Sequence, residues 1–597
     1  MHTIFILNED HALMVAYETG DSGHLAHAVM NMFNYPIYNQ HNYHYAASGQ
    51  LFNTIAFIVV LALKFIGQLF GFYNQPIFGV IDDQPIFNSS MIAINFTFSL
   101  ISILLFFKIS KLLFDNKKIS FVASLIFMFL PWAAIYMYWL KSDATGMVFI
   151  LTAILYLIKF VKQEPKAIYF YIAFVSLVLT TLSKMYHGFL LFPIFLVFFL
   201  TYCDKKNINY LTYLFSKNFF KILISLPFIY ILIIFIITPY AIIDFNGGIY
   251  SERWMFMPWD IFVSMFKSLS VIILNILSPD ALAVSASALR GQPADTSLNF
   301  YNWITMFRRE PIIYLNIILL YLLIMPLFFY KKLKVSLLFT TSVIFCSLYL
   351  LIVIYGNKSG LHYHLRYIYP IAPLLILNIV AVILYIWNQL ALFKQSYYLK
   401  IFFASLGGLF FLSIFVENIT ITTNSLLSKA AYKHSTVYKT REFIMDNSKI
   451  FKQGKILLGI GVAPMPPKIT WLQPTASVSW VTKRSRTFKK YVNKDADIFT
   501  LSWTTGRHGL EFIKDIDIKY LILNESHSRI YKNYIKKNHF KPIKVFKPSE
   551  KELTMFTTWF PYANPQLNTL QTTKKLLEIH GDSDIVIGPK IVFYAKM

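Results

Sequence analysis

The chain has 597 residues, of which 56% are hydrophobic and only 14% are charged, and its mean hydropathy is +0.52. Soluble domains are about 45–50% apolar and about 25% charged, so this composition excludes an ordinary soluble globular protein. It indicates a polytopic α-helical membrane protein, since a spanning helix needs about 20 mostly apolar residues and such runs recur along the chain.

The net charge of +25 is the kind of excess that nucleic-acid-binding proteins carry. The lysines, however, cluster in short loops between apolar runs, at residues 108–118, 159–166, 205–206 and 331–334. Lysine in short loops marks the cytoplasmic side of a membrane protein. We therefore interpret the positive charge as a determinant of topology, and we predict a lipid bilayer and no nucleic acid as partner.

The first candidate functional segment is YETGDSGHLAHAVMNMF, residues 17–33. Its apolar residues recur at helical spacing and predict an amphipathic helix that begins near Asp21; they are Leu25, Val29, Met32 and Phe33. Asp21 can cap this helix or act chemically, and the two roles are compatible because a cap fixes the carboxylate. His24 and His27, three residues apart, could bind a metal or could be exposed interfacial histidines.

A stretch rich in Tyr and His, residues 38–52, leads into an apolar segment at 51–72. His41 and His44 are suggestive of a site, although aromatic and polar residues are common at membrane interfaces. The apolar segment is long enough to span, but Lys64 in its middle would be costly in lipid. We predict that the segment lies along the outer membrane surface with Lys64 reaching the headgroups. If it spans instead, residues 1–50 are cytoplasmic.

Further apolar segments predict ten spanning helices, or eleven if the segment at 51–72 also spans. They fall at residues 90–113, 121–140, 147–161, 168–183, 188–203, 219–243, 311–330, 335–355, 367–387 and 400–417. Alternation from the lysine-rich loops assigns the intervening loops, and everything after residue 417, to the extracytoplasmic side. The outer loop at 244–310 contains a half-apolar stretch, 261–277, that is expected at the interface.

From about residue 425 the composition becomes mixed polar, which predicts a soluble extracytoplasmic α/β domain over residues 425–597. Apolar runs at 455–463, 518–526 and 590–597 are predicted as buried strands, with helices at 436–446 and 573–579. The chain thus divides into a first outer loop with surface helices (1–89), a transmembrane domain (90–420) and this C-terminal domain.

Polar residues recur at the outer ends of the predicted spanning helices. Asp143, beside Lys141, can form a salt bridge, cap a helix or supply a second functional carboxylate. The other polar residues come from SKMYHG and HYHLRYIYP and are Lys184, His187, His362, His364, Arg366 and Tyr367. They can be interfacial anchors, but positive charge on the outer side opposes the topology rule. A phosphate-bearing substrate or an anionic headgroup is the other explanation, since Arg offers a bidentate fork and Lys a point charge.

The order of these motifs resembles the GT-C superfamily of membrane glycosyltransferases. The features are an acidic residue on an early outer loop, a Tyr-rich stretch before an apolar helix, SD on the second outer loop, SK before an apolar run, RYIYP late, and a soluble C-terminal domain. Within the superfamily the chain is most similar to bacterial relatives of dolichyl-phosphate-mannose protein mannosyltransferases and of the lipid A aminoarabinose transferase. The resemblance covers about residues 17–400 and implies sugar transfer from a polyprenyl-phosphate carrier.

By this resemblance Asp21 and Asp143 match the acidic positions of the first and second outer loops. Lys184 and Arg366 match basic positions near the donor phosphate. The family often has an Asp-Glu pair where this chain has Asp21 followed by Ser22. It also normally has a spanning helix before the acidic loop, so the N-terminal part departs from the family pattern.

The predicted function is an integral membrane glycosyltransferase of the inner or plasma membrane, which moves a hexose or pentose to a glycan, lipid or protein acceptor with inversion. Asp21 and Asp143 are the predicted catalytic residues, with Asp21 as general base. The predicted substrate-binding residues are His24, His44, Lys184, His187, His362, His364, Arg366 and Tyr367. No metal is predicted, although two aspartates leave a divalent cation open.

Two other functions fit the same membrane setting. A transporter or flippase of lipid-linked sugar is expected to show internal repeats and helices broken at the midplane; the sequence has no visible repeat, and its polar groups gather at one rim. An O-antigen ligase or polymerase would use a diphosphate-linked glycan as donor.

Overall fold

The structure is a computed structural model of the whole chain. It describes residues 49–74, 84–129, 142–162, 167–183, 216–237, 431–447, 454–459, 476–478, 498–501, 516–549, 569–582 and 584–597, together with scattered residues such as 25, 29, 32, 33, 77 and 369.

Six helices form the apolar part of the described chain. They are α1 (Gln50–Leu69), α2 (Gln84–Phe114), α3 (Lys117–Phe129), α4 (Asp143–Lys162), α5 (Ala167–Ser183) and α6 (Lys217–Ile237). Among the described residues, three stretches are long and apolar enough to cross a membrane: Gln50–Leu69, Ser90–Phe114 and Asp143–Phe160. This confirms the prediction of a helical membrane protein. The predicted spans after residue 243, the one at 188–203 and the stretch at 261–277 lie outside the described residues, apart from scattered positions.

Hydroxyl side chains inside these helices bond to their own backbone. The Ser99 hydroxyl donates to the Asn95 carbonyl at 3.1 Å, and the Thr180 hydroxyl donates to the Ser176 carbonyl at 2.8 Å. The same four-residue pattern recurs at Ser102, Ser124, Thr152 and Thr181. A polar group in lipid must be satisfied internally. These bonds let the serine and threonine residues sit in otherwise apolar helices.

Consecutive helices pack so that their lysines gather at one end of the bundle. The end of α4 meets the start of α5, where the rings of Tyr156 and Tyr169 lie 5.8 Å apart and the Lys159 ammonium lies 4.9 Å from the Tyr156 ring. The starts of α5 and α6 are also neighbours, because the Tyr171 hydroxyl lies 3.2 Å from the Ser225 hydroxyl. We call this the lysine-rich end; its described lysines include Lys111, Lys117, Lys118, Lys159 and Lys221.

Helix α1 contacts the bundle at the opposite end. Its Leu51 packs in one buried cluster with Leu182 near the end of α5 and Ile234 near the end of α6. The Thr54 hydroxyl donates to the carbonyl of Ile237, the last residue of α6, at 3.4 Å. A helix of 20 residues is about 30 Å long, yet these contacts fall at the ends of its neighbours. They place the start of α1 at this end of the bundle, and the orientation of α1 to the membrane stays a prediction.

The four apolar residues of the predicted N-terminal helix are helical and buried, as their spacing indicated: Leu25, Val29, Met32 and Phe33. Leu25, Val29 and Phe33 pack in one cluster with Phe52, Ala56 and Val60 of α1 and with Met91 and Ile92 of α2. The start of α2 therefore also lies at the end of the bundle that α1 contacts.

The prediction that Lys64 reaches the headgroups is wrong. Its side chain is buried, and its ammonium donates to the Ile77 carbonyl at 2.9 Å. The ammonium also lies 4.8 Å from the Phe33 ring and 5.3 Å from the Tyr73 ring. A carbonyl and two aromatic faces stabilise a cation away from water. All of these partners lie outside helix α1, so the helical pattern around Lys64 could not reveal them.

The C-terminal region is built on a six-stranded sheet of order β2-β3-β1-β4-β6-β5. The strands are β1 (Lys455–Leu458), β2 (Ala476–Val478), β3 (Ile498–Leu501), β4 (Ile518–Asn524), β5 (Phe540–Phe546) and β6 (Ile591–Lys596). Strands β1 to β4 pair in parallel, whereas β6 runs antiparallel to both β4 and β5. The accompanying helices are α7 (Thr436–Asp446), α8 (Glu525–Ile530), α9 (Lys532–Lys537) and α10 (Thr569–Gly581).

The structure contains the predicted strands near 455, 518 and 590 and both predicted helices, and it adds β2, β3 and β5. The sequence analysis did not predict strand β5, because most of its side chains are exposed and it therefore has no buried apolar run. An exposed ion pair lies where β6 ends and β4 begins, and in it Lys596 of β6 donates to Asp517 at 2.6 Å. This hydrogen bond holds the pKa of the Asp517 carboxyl below its usual value.

Candidate functional site

The start of helix α4 buries a carboxylate. Asp143 is the first residue of the helix, and its side chain is fully buried, as is that of Thr145. A negative charge is favoured at a helix N-terminus by the aligned peptide dipoles, which agrees with a helix-start role. The burial is incompatible with an exposed loop salt bridge. A carboxylate withdrawn from water is also costly, so its presence here calls for a further reason.

The start of helix α1 lies directly against the start of α4. Gly49, the residue before α1, has a φ of +95°, and a Cβ added to it would lie 3.3 Å from the Ser142 Cβ and 2.6 Å from the Leu25 Cδ2. Only glycine fits this conformation and this close approach without strain. Gly49 therefore allows the N-terminal helix, α1 and α4 to meet at one point.

Three buried polar side chains at this meeting point lack a hydrogen-bond partner in the described structure. Gln50 and Asn53 of α1 are fully buried, and neither the amide nitrogen nor the amide oxygen of either one is paired. The hydroxyl of Thr145 in α4 has no partner either. Each unsatisfied buried polar group costs about 1–3 kcal/mol, and most buried polar groups in proteins are satisfied. Such a concentration indicates a site for a polar ligand.

Tyr369 is buried as well, and it lies within electrostatic range of Asp143. We call the set Gln50, Asn53, Ser142, Asp143, Thr145 and Tyr369 the polar junction. The sequence analysis identified Asp143 but missed the two amides, Thr145 and Tyr369. Two polar residues three positions apart at the start of an apolar helix were the available signal.

The end of α5 reaches the region around the polar junction. Leu182 of α5 packs with Leu51 of α1, and Ser183, the last residue of α5 and the one before Lys184 in the chain, is buried. The other predicted site residues lie outside the described residues: Asp21, His24, His44, Lys184, His187, His362, His364, Arg366 and Tyr367. Within the described part of the chain, no three His, Cys, Asp or Glu side chains form a group that could hold a metal ion.

The close approach at Gly49 makes a prediction about stability. Alanine at a left-handed position costs about 1–2 kcal/mol, and at Gly49 its Cβ would also press on Leu25 and Ser142, adding about 1–3 kcal/mol for overpacking. Gly71 is a matched control, because its φ is +75° and nothing lies within 4 Å of an added Cβ. In thermal unfolding in detergent, Gly49→Ala should lower the midpoint clearly more than Gly71→Ala. Equal shifts would contradict the tight junction.

Comparison with known proteins gives one family match. Residues 76–231 match the family described as dolichyl-phosphate-mannose-protein mannosyltransferase. No curated protein sequence matches the chain. Among solved structures, it is similar to the apo form of the Archaeoglobus fulgidus oligosaccharyltransferase, with a TM-score of 0.45 and 13% identity, over 92% of this chain and 74% of that one. The family match spans α2 to α5 and most of α6, and so contains Asp143.

Proposed function

We propose that the chain is a membrane glycosyltransferase of the GT-C type that transfers a sugar from a polyprenyl-phosphate donor to an acceptor on the extracytoplasmic face, and the family match over residues 76–231 supports this proposal. The observation that carries the proposal is the buried Asp143, which lies inside the matched segment and at the end of the bundle away from the lysines. Lysine-rich loops mark the cytoplasmic side, so the opposite end, with its polar junction, faces outward.

The location determines the kind of donor. Nucleotide sugars are cytoplasmic, so an activated sugar on the outer face must be carried by a lipid. Asp21 acts as general base and takes the proton of the acceptor hydroxyl. The acceptor oxygen then attacks the anomeric carbon as the bond from that carbon to the phosphate oxygen breaks. A single displacement inverts the anomeric centre.

The leaving group is a polyprenyl phosphate, which gains negative charge as the bond breaks. Lys184 and Arg366 bind this phosphate and stabilise the developing charge. Asp143 is the second catalytic carboxylate, and the histidines of the outer loops, with Tyr367, bind substrate. Two cationic side chains can stabilise the charge on the leaving phosphate without a metal ion, and a divalent cation is the alternative. Activity that persists in EDTA supports the first, and loss of activity that Mg²⁺ or Mn²⁺ restores supports the second.

The proposal is tested with purified protein in vesicles and a radiolabelled polyprenyl-phosphate sugar. Transfer of label to a protein, lipid or glycan acceptor is the expected result. Movement of the intact lipid across the bilayer without bond cleavage would identify a flippase instead. Activity only with a diphosphate-linked glycan would identify an O-antigen ligase or polymerase. The polar junction favours the transferase, because it gathers the starts of α1 and α4 at one end of the bundle, whereas transporter sites lie near the midplane.

A labelling experiment tests the topology. Leu25 contacts Gly49 at the polar junction, so Ser22, three residues before it, is expected on the extracytoplasmic side. In a variant without Cys203 and Cys346, Ser22→Cys should react with an impermeant thiol reagent applied from outside. Lys117→Cys, exposed at the lysine-rich end, should react only after the membrane is opened. The reverse pattern would separate Asp21 from the outer face and defeat the proposed mechanism.

A further inference from the structure

Gln50 and Asn53 have no assigned role, yet their environment is unusual. They lie three residues apart at the start of α1, so they share one face of the helix. Both side chains are fully buried, and within the described part of the chain their amide groups bond to nothing. A primary amide offers two donors and an acceptor with two lone pairs. The pair therefore presents unpaired donors and acceptors that are shielded from solvent.

The amides belong to a junction with other polar groups. Gly49, next to Gln50, approaches Ser142, and Asp143 and Thr145 follow in the first turn of α4. The Thr145 hydroxyl is buried and unpartnered as well. Two helix starts thus bring together two amides, a hydroxyl and a carboxylate.

The chemistry of these groups selects a neutral ligand rich in hydroxyl groups. Among the described residues, a phosphate at this junction would meet the buried carboxylate of Asp143. Lys64, the basic residue of α1, is engaged by the Ile77 carbonyl and two aromatic rings. A sugar hydroxyl both donates and accepts, which matches amides and a threonine hydroxyl beside a carboxylate that accepts.

We propose that Gln50, Asn53 and Thr145 bind hydroxyl groups of a sugar ring next to Asp143. The inference rests on the proposed function and deepens it, since it assigns recognition of the sugar to the junction of α1 and α4. The ring can belong to the donor lipid or to a sugar acceptor, because both present the same hydroxyl chemistry.

The decisive variants are Asn53→Leu and Thr145→Val, which keep size but remove polar atoms. If these side chains form hydrogen bonds within the protein, their replacement should lower the unfolding midpoint. If their hydrogen-bonding partner is a ligand, replacing the unsatisfied polar group by an apolar one in the ligand-free protein should leave the unfolding midpoint unchanged or raise it. Ser110→Ala is the matched control. Ser110 is also buried with an unpartnered hydroxyl in the described structure, but it lies in α2 near the lysine-rich end.

Binding is measured with polyprenyl-phosphate mannose, glucose, galactose and arabinose, and with sugar-free polyprenyl phosphate as the reference. The wild-type protein should bind at least one sugar lipid more tightly than the reference. The ratio of the affinity for the sugar lipid to the affinity for sugar-free polyprenyl phosphate should fall about tenfold in Asn53→Leu and in Thr145→Val, which is the effect of one or two hydrogen bonds. Ser110→Ala should leave this ratio unchanged. If this affinity ratio is unchanged but the KM for a sugar acceptor rises about tenfold, the bound sugar ring belongs to the acceptor.

Two results separate failure of the inference from failure of the proposed function. Unchanged donor binding together with an unchanged acceptor KM in both variants overturns the inference, as does a loss of stability that accounts for the binding loss. Sugar-dependent binding without any transfer by the wild-type protein overturns the proposed function alone, and the binding data still decide the role of Asn53 and Thr145.

Discussion

An Asp21→Asn variant is expected to transfer sugar about a hundredfold more slowly than the wild-type protein, or more slowly still. Asparagine keeps the size of the side chain and can still cap a helix, but it cannot take a proton from the acceptor hydroxyl. Loss of a general base typically costs about 10²–10⁴-fold in rate. The measurement is the initial rate of transfer from the radiolabelled donor at saturating donor and acceptor, with the unfolding midpoint recorded in parallel.

Glu18→Gln is the matched control, because it removes a carboxylate from the same segment without touching the predicted base. It should retain a near-native rate. A near-native rate in Asp21→Asn would show that Asp21 only caps the helix. Asp143→Asn then becomes informative, since Asp143 is a carboxylate that the structure buries at the polar junction.

The second large effect is expected on donor use at Arg366 and Lys184. Arg366→Lys keeps the positive charge but loses the bidentate fork that matches a phosphate. Lys184→Ala removes a point charge. A hydrogen bond to a charged group contributes about 1.5–3 kcal/mol, so each change should raise the donor KM by about 10- to 100-fold. The acceptor KM and the unfolding midpoint should change little.

Lys358→Ala serves as the control for these variants. Lys358 lies in the same predicted outer loop as Arg366 and has no proposed contact with the donor, so its loss should leave the donor KM unchanged. A normal donor KM in both Arg366→Lys and Lys184→Ala would rule out a phosphate site at these positions. An equal rise in all three variants would instead indicate a general effect of charge on the outer face.

The sequence by itself determined the class of the protein and the framework of its helices. The apolar runs at 147–161 and 168–183 became α4 and α5, because spacing and composition report directly on which faces avoid water. The four apolar residues of the N-terminal segment were assigned correctly for the same reason. Asp143 was identified because a carboxylate at the edge of an apolar run is conspicuous. Strands with buried apolar runs were found, and the mostly exposed strand β5 was not.

Only the tertiary structure decided what surrounds these groups. Lys64 is satisfied by the Ile77 carbonyl and by the rings of Phe33 and Tyr73, and all three of these residues lie outside helix α1. Gln50 and Asn53 look like ordinary polar residues at a helix start until α1 is packed against α4. Burial and the absence of a partner are properties of that packing. A local pattern reports which way a side chain faces, but the groups it meets come from other segments, and only the folded chain brings those segments together.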